Sequence, residues 1–273
     1  MTTRTRKRFG QHWLRSEKVL NNIIAAAQIQ SEDRVLEIGA GTGILTRKLL
    51  ERSQAVLTVE IDLDLCRKLV KTLGKEDNFL LLQGDFLDMD INALTKDFPK
   101  FQNPNKVVAN IPYNITGEII ESLLGRISQP NPQPYQLIVL LVQKEVAQRM
   151  CAEPNSRQFG ALSVRVQYLA QCEWVCEVPS TAFRPAPKVD SAVVSLRPQT
   201  FPLEAKNPQH LDTIVRVGFA NKRKMLRNNL KGMIESDRTT QLLEQLEINP
   251  QSRAENLGVA DWIKLSNLLA TNP

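Results

Sequence analysis

The amino-acid sequence predicts an α/β fold: a Rossmann-like, mostly parallel sheet followed by a smaller all-helical region. Three observations lead there. Apolar runs of strand length alternate with helical patterns through roughly the first 200 residues, an order that builds a parallel sheet covered on both faces. A glycine-rich turn, Gly39-Ala40-Gly41-Thr42-Gly43, leaves a strand pattern and enters a helical one. Beyond residue 198 only helical patterns remain. At 273 residues the chain can bury a full core and carry one large domain plus a small one.

Taken in order, apolar residues at helical spacing mark 16–27, and the short apolar run 34–36 reads as the strand entering the glycine turn. A helix over 44–51, a strand over 55–59, a helix over 63–73 and a strand over 79–82 follow. Val107-Val108-Ala109 is a further buried strand, and 116–126 a helix. After the proline-rich loop 130–134 come a strand over 135–142 and helices over 145–151 and 161–170. Strands over 172–178 and 191–196, joined by a short connection, predict an antiparallel pair at one sheet edge. Pro198, Pro202 and Pro208 punctuate a linker. The predicted domains are therefore 1–198 and 199–273.

The glycine turn indicates the ligand. Its spacing is G-x-G-x-G, whereas a dinucleotide fingerprint is G-x-G-x-x-G with a pyrophosphate at the helix N-terminus. S-adenosylmethionine has no phosphates and needs only close backbone approach, here at Gly39 and Gly41. Glu60 ends the next strand, where an acidic side chain hydrogen-bonds ribose hydroxyls, and Asp85 follows the strand after that, positioned for an adenine amine.

Asn110-Ile111-Pro112-Tyr113 follows the strand at 107–109, at the carboxyl end where open α/β sheets bind ligands. An exocyclic base amine is a poor nucleophile because its lone pair is delocalised into the ring. The Asn110 side-chain oxygen and the Ile111 carbonyl can accept both amine hydrogens and free that lone pair, while Tyr113 stacks on the ring. A third motif, Phe183-Arg184-Pro185-Ala186-Pro187-Lys188-Val189-Asp190-Ser191, is stiffened by two prolines. Phe183 is expected to cover the opposite face of a base drawn out of its stack, the alternative being that it packs into the core beneath the loop.

The basic character behind the net charge of +6 is confined to two segments. Residues 1–18 hold Arg4, Arg6, Lys7, Arg8, Arg15 and Lys18 against Glu17 alone; residues 216–231 hold Arg216, Lys222, Arg223, Lys224, Arg227 and Lys231 with no acid. Arg223, Arg227 and Lys231 share one face if the segment is a helix, and two uncompensated patches beside a base-modifying motif predict binding to phosphates. No signal peptide or membrane span is recognisable. Four cysteines and two histidines are too scattered for a metal site. Cys172 and Cys176, on a strand, stand ~13 Å apart, beyond disulfide reach; buried, reduced thiols in a cytoplasmic protein are expected.

Arg8-Phe9-Gly10-Gln11-His12-Trp13-Leu14, the glycine turn, Asn110 to Tyr113, the 183–191 loop and a basic helix over 219–230 occur in one order along nearly the whole chain. In this the chain resembles the ribosomal RNA adenine N6-dimethyltransferase family, in particular the type acting on small-subunit RNA. The resemblance implies a seven-stranded S-adenosylmethionine-dependent methyltransferase sheet and a helical C-terminal domain that carries target choice. It implies two methylations on each of two adjacent adenosines in a hairpin loop near the 3′ end of 16S rRNA. It also implies cofactor contacts at His12, Leu14, Gly39, Glu60, Asp85 and Asn110, and a monomer is expected. His12 stands where many relatives carry Asn, and Trp13 where Phe is usual; an imidazole offers a donor and an acceptor much as an amide does, so cofactor binding is expected to survive. A methyltransferase of large-subunit RNA would share these catalytic motifs, and an assembly factor with secondary catalysis remains an alternative.

Overall fold

The computed structural model describes residues 12–271. Its seven-stranded sheet comprises β1 (Arg34–Ile38), β2 (Ala55–Glu60), β3 (Phe79–Gln83), β4 (Lys106–Asn110), β5 (Leu137–Gln143), β6 (Ala170–Val178) and β7 (Ser191–Pro198). Their spatial order is β3-β2-β1-β4-β5-β7-β6. β1 through β5 run parallel in that array, and β7 is antiparallel to β5, pairing Ser191 with Gln143 and Leu196 with Ile138. β6 and β7 are neighbours at one edge. Every residue of β2 is buried, so both faces of the sheet are covered there, as a parallel strand requires. β3, at the other edge, is only partly buried.

Between the strands lie α1 (Glu17–Ala27), α2 (Ile44–Leu50), α3 (Leu63–Leu73), the short α4 (Ile91–Leu94) and α5 (Thr116–Leu124). Ser16 caps α1 by accepting from the Val19 N–H, and Val19, Leu20, Ile23 and Ala27 form its buried face. That face packs against Val35, Val108, Val139 and Leu141 of three neighbouring strands. The predicted helices and strands recur within a few residues of their expected limits, the strand at 135–142 shifting to Leu137–Gln143. Of the four cysteines only Cys66 is buried; Cys151, Cys172 and Cys176 are partly exposed, contrary to expectation, because they lie at element ends or on the sheet edge.

Two compact units divide the chain. Among the described residues, the first holds those up to 123, 133–147 and 173–197; the second holds 124–132, 148–172 and those from 198 on. The second contains α7 (Ala161–Leu169), α8 (Pro208–Gly218), α9 (Leu226–Leu230), α10 (Ser236–Gln245) and α11 (Val259–Thr271), whereas α6 (Lys144–Met150) runs across the division. This unit extends beyond the continuous segment 199–273, because Ile127, Ala152, Phe159 and Val164 belong to the same buried cluster as Leu211, Leu226, Leu242 and Trp262. Gly218 is required by close approach: a Cβ there would lie 2.4 Å from the Trp262 ring.

At the amino ends of β1 and β4 a buried ion pair fixes the first unit. The Lys106 Nζ lies 2.7 Å from Asp33, with side chains 8% and 4% exposed, and also donates to the Gln28 carbonyl at the end of α1. Asn105 donates to Asp33 and accepts from the Arg34 N–H. Burial alone would raise the Asp33 carboxyl, but hydrogen bonds from Lys106, Gln30 and Asn105, with the Lys106 charge, hold it below 3.8. Its contribution to stability is therefore full above that pH and lost as pH falls through the lower folded value. Lys106→Ala strands a buried carboxylate, and urea unfolding at pH 7 should show a destabilisation of about 3–5 kcal/mol; one below about 1 kcal/mol would mean that the pair is solvated.

Candidate active site

Strand order reverses between β1 and β4, and the crevice outside their carboxyl ends is where such sheets bind ligands. Both sequence motifs arrive there. Gly39, Gly41 and Gly43 have φ of 76°, 58° and 75°, conformations that favour glycine. A Cβ on Gly39 would come 3.7 Å from the Asn110 carbonyl oxygen and 3.9 Å from Pro112, so the glycine turn and the Asn110-Ile111-Pro112-Tyr113 segment are neighbours. The Gly39 N–H donates to the Val59 carbonyl at 2.8 Å, and the Gly41 N–H donates to Glu60 Oε2 at 2.9 Å. Glu60 Oε1 accepts from the Asp62 N–H. One carboxylate thus shapes both the glycine turn and the start of α3.

A cavity of about 250 Å³ opens there, far larger than the ~10–15 Å³ needed by one water. His12, Leu14, Gly39, Gly41, Glu60, Asp85, Asn110, Ile111, Pro112 and Tyr113 all line it. Phe183 does not: it is 5% exposed in the apolar cluster with Leu14, Val139 and Val193, against which Tyr113 also packs. Leu14 and Phe183 are register partners in a two-residue antiparallel ribbon, which turns the Phe183 side chain inward.

The side chains are held before any substrate arrives. Asn110 Nδ2 donates to the His12 carbonyl at 3.4 Å, which leaves Oδ1 to accept. The Tyr113 hydroxyl is 2.6 Å from the Ser191 hydroxyl, and burial, partly opposed by that bond, raises its pKa. His12 Nδ1 donates to the Pro185 carbonyl at 2.9 Å, and its ring stacks on Tyr113 with centroids 5.8 Å apart. Asp85 Oδ1 caps the turn Phe86–Asp88 through the Leu87 N–H.

Sequence reasoning assigned no role to Glu37 or Ser191, and none to the Trp13 side chain beyond its departure from Phe. Glu37 is 1% exposed and lines the cavity. Burial pushes its carboxyl up to about 7, with the hydrogen bond from Thr58 pulling the other way; the Thr58 hydroxyl is 3.2 Å away. Burial likewise raises Glu60, against the N–H donors of Asp62 and Gly41. The signal for Glu37 was an acid inside an otherwise apolar strand, opposite Thr58 in register. The Trp13 indole N–H is buried without a hydrogen-bond partner.

These features fit S-adenosylmethionine: glycine backbone free of Cβ atoms, acids closing two consecutive strands, and an indole N–H wanting an acceptor at the cavity wall. Fold and site together define a Rossmann-like methyltransferase that takes this cofactor. The family model described as ribosomal RNA adenine dimethylase matches residues 2–271. A relative from Trichormus variabilis called ribosomal RNA small subunit methyltransferase A is 62% identical over 266 residues, covering 97% of this chain and 98% of its own. The crystal structure of a dimethyladenosine transferase from Plasmodium falciparum superposes with a TM-score of 0.78 at 30% identity, covering 96% of this chain and 98% of the other. That of the 23S rRNA methyltransferase ErmE gives 0.73 at 26% identity, covering 94% and 99%. The chain belongs to the ribosomal RNA adenine dimethylase family; it is an rRNA adenine dimethyltransferase, and its cofactor is S-adenosylmethionine.

The basic segment of the second unit departs from the sequence expectation. Arg223, Arg227 and Lys231 do not share one helical face, because only Leu226–Leu230 is helical. Met225 is extended and bridged to Arg253, and the Leu226 N–H donates to the Ser252 carbonyl, so the helix cannot continue backwards. Arg223, Lys224 and Lys231 are exposed and Arg227 half-buried. Lys222 donates to the Phe159 carbonyl at 3.0 Å, which commits part of its ammonium to the fold. Arg4, Arg6, Lys7 and Arg8 lie outside the described residues.

The raised Glu37 carboxyl destabilises the folded protein increasingly as pH climbs from 4.5 to about 7, the interval between its ordinary and folded values. Glu37→Gln removes the charge and keeps an acceptor for Thr58. Its stability relative to the natural chain should therefore rise across that interval and level off above it, in denaturant titrations at several pH values. A difference independent of pH would show Glu37 to be ionised throughout.

Proposed function

We propose that this chain dimethylates N6 of two adjacent adenosines in a hairpin loop near the 3′ end of 16S rRNA, as a cytoplasmic monomer taking part in small-subunit biogenesis. The observation that carries the chemistry is Asn110, fixed through Nδ2 at the rim of the cavity with Oδ1 left to accept. The small-subunit target is supported by the relative named for that subunit, 62% identical over 97% of this chain. No helix among the described residues is long and apolar enough to cross a membrane.

When bound, S-adenosylmethionine supplies a methyl group activated on a sulfonium. Glu60 and Asp85 are assigned to its ribose and adenine, and Gly39, Gly41, His12, Leu14 and Asn110 to the remainder. Asn110 Oδ1 and the Ile111 carbonyl accept the hydrogens of the target amine and localise its lone pair on nitrogen. The methylated amine is acidic, so its proton leaves to solvent or through Asn110 without a dedicated base. Tyr113, with its hydroxyl fixed by Ser191, supplies a stacking face for the flipped adenine. Phe183 supplies the other face only by leaving the apolar cluster it occupies; in place, it supports Leu14 and Tyr113. Positioning and exclusion of water provide most of the acceleration.

The second reading, methylation of large-subunit RNA, draws on the similarity to ErmE. Methyl transfer to purified small-subunit and large-subunit particles separates the two. Small-subunit particles should accept four methyl groups each, and Asn110→Ala should lower that rate by about 10²-fold or more with RNA affinity nearly unchanged. Methylation confined to large-subunit particles would overturn the small-subunit target, and a near-normal rate for the variant the role of Asn110.

Lys222, Arg223, Lys224, Arg227 and Lys231 are assigned to RNA phosphates in the second unit, with Arg4, Arg6, Lys7 and Arg8 assigned likewise at the N-terminus. Replacing Arg223, Arg227 and Lys231 together with Gln should weaken particle binding and reduce the salt slope by ~0.7–0.9 for each phosphate no longer neutralised, leaving cofactor affinity unchanged. Unchanged salt dependence would shift docking to residues 4–8.

A further inference from the structure

Cys151 follows α6 and Cys172 lies near the start of β6, and their Sγ atoms are 2.7 Å apart. Both side chains are partly exposed, so a small reagent can reach them. The backbone on each side is held. Gln167 Nε2 donates to the Met150 and Ala152 carbonyls, at 3.0 and 2.8 Å, bracketing Cys151. Near Cys172, the Leu169 carbonyl accepts from the Gln199 N–H at 2.9 Å. A disulfide bond needs sulfurs about 2.05 Å apart, so closure requires only a small side-chain adjustment.

We infer that Cys151 and Cys172 form a redox-responsive pair that closes reversibly to a disulfide within the helical unit. The hydrogen bond with Cys151, and then burial, push the Cys172 thiol pKa upward. Cys172 holds its proton the more tightly, and Cys151 is taken as the attacking sulfur. The oxidant is a low-molecular-weight disulfide. The Cys151 thiolate attacks one of its sulfurs, forming a mixed disulfide and releasing the first small thiolate. Cys172 then loses its proton and attacks the Cys151 sulfur, expelling the second. Two protein thiols are oxidised by two electrons as one small disulfide is reduced to two thiols. The closed loop contains α7 and Phe159, and also the Arg157 and Phe159 carbonyls that receive the Lys222 ammonium. Oxidation thus fastens the platform under part of the basic segment.

The other cysteines provide internal controls. Cys66 is buried, with burial and the nearby Glu60 and Asp62 charges pushing its thiol up to about 11, and Cys176 stands ~13 Å along the strand from Cys172. The test treats the full-length chain with excess oxidised glutathione or with dithiothreitol, alkylates remaining thiols, and digests without reduction for mass spectrometry. The expected result is a Cys151–Cys172 cross-linked peptide, with Cys66 and Cys176 unlinked and dithiothreitol restoring both thiols. The oxidised chain should also melt on the order of 5–10 °C higher, from the loop constraint. Cys151→Ser and Cys172→Ala should each abolish that difference. Because the main comparison is between two redox states of the unaltered chain, a variant that folds poorly does not obscure it. Glutathione remaining on both cysteines, alkylation of both after oxidation, or a Cys172–Cys176 link would each overturn the pair.

Discussion

The side-by-side placement of β1 and β4 is the constraint on which the site depends. Val35 pairs with Lys106 and Leu36 with Val107, which carries the glycine turn and Asn110 to the same rim although about 70 residues separate them. Parallel strands that are not consecutive in the chain are held in register by hydrogen bonds and by what is buried around them. Here the buried Asp33–Lys106 pair locks the opposite ends of the same two strands. Attraction in a low-dielectric setting exacts strict geometry, and that geometry is transmitted along two short strands to the rim of the cavity.

At the rim, hydrogen bonds do the aiming. Glu60 spans the Gly41 and Asp62 N–H groups, Asn110 leans on the His12 carbonyl, and Tyr113 is tied to Ser191. Each bond restrains one side chain of the cavity lining. The same dry surroundings raise the Glu37 and Glu60 carboxyls. The first unit accepts this electrostatic cost where it gains a shaped cavity.

The helical unit works by different means. Its buried residues come from stretches far apart in the chain, with Phe159 beside Phe219, and Phe219 and Gly218 beside Trp262. Its basic segment is a turn followed by a five-residue helix, so the cations do not line one helical face.

The sequence by itself determined what local pattern and residue chemistry can encode. Strand and helix alternation, the left-handed glycines at 39, 41 and 43, the acids closing β2 and following β3, and the Asn110 to Tyr113 segment all rest on neighbours within a few residues. Periodicity and turn chemistry are therefore enough to read them. Tertiary structure alone decided the rest, because it depends on partners distant in the chain. Cys172 and Cys176 are neighbours in sequence, whereas only folding brings Cys151 to Cys172. Helical spacing put Arg223, Arg227 and Lys231 on one face until the Met225–Arg253 bridge broke the helix. Phe183 could face a base or the core by its sequence, and the ribbon with Leu14 turned it inward. The raised carboxyl of Glu37 likewise comes from the burial the assembled sheet imposes, since desolvation belongs to a three-dimensional environment and no linear spacing carries it.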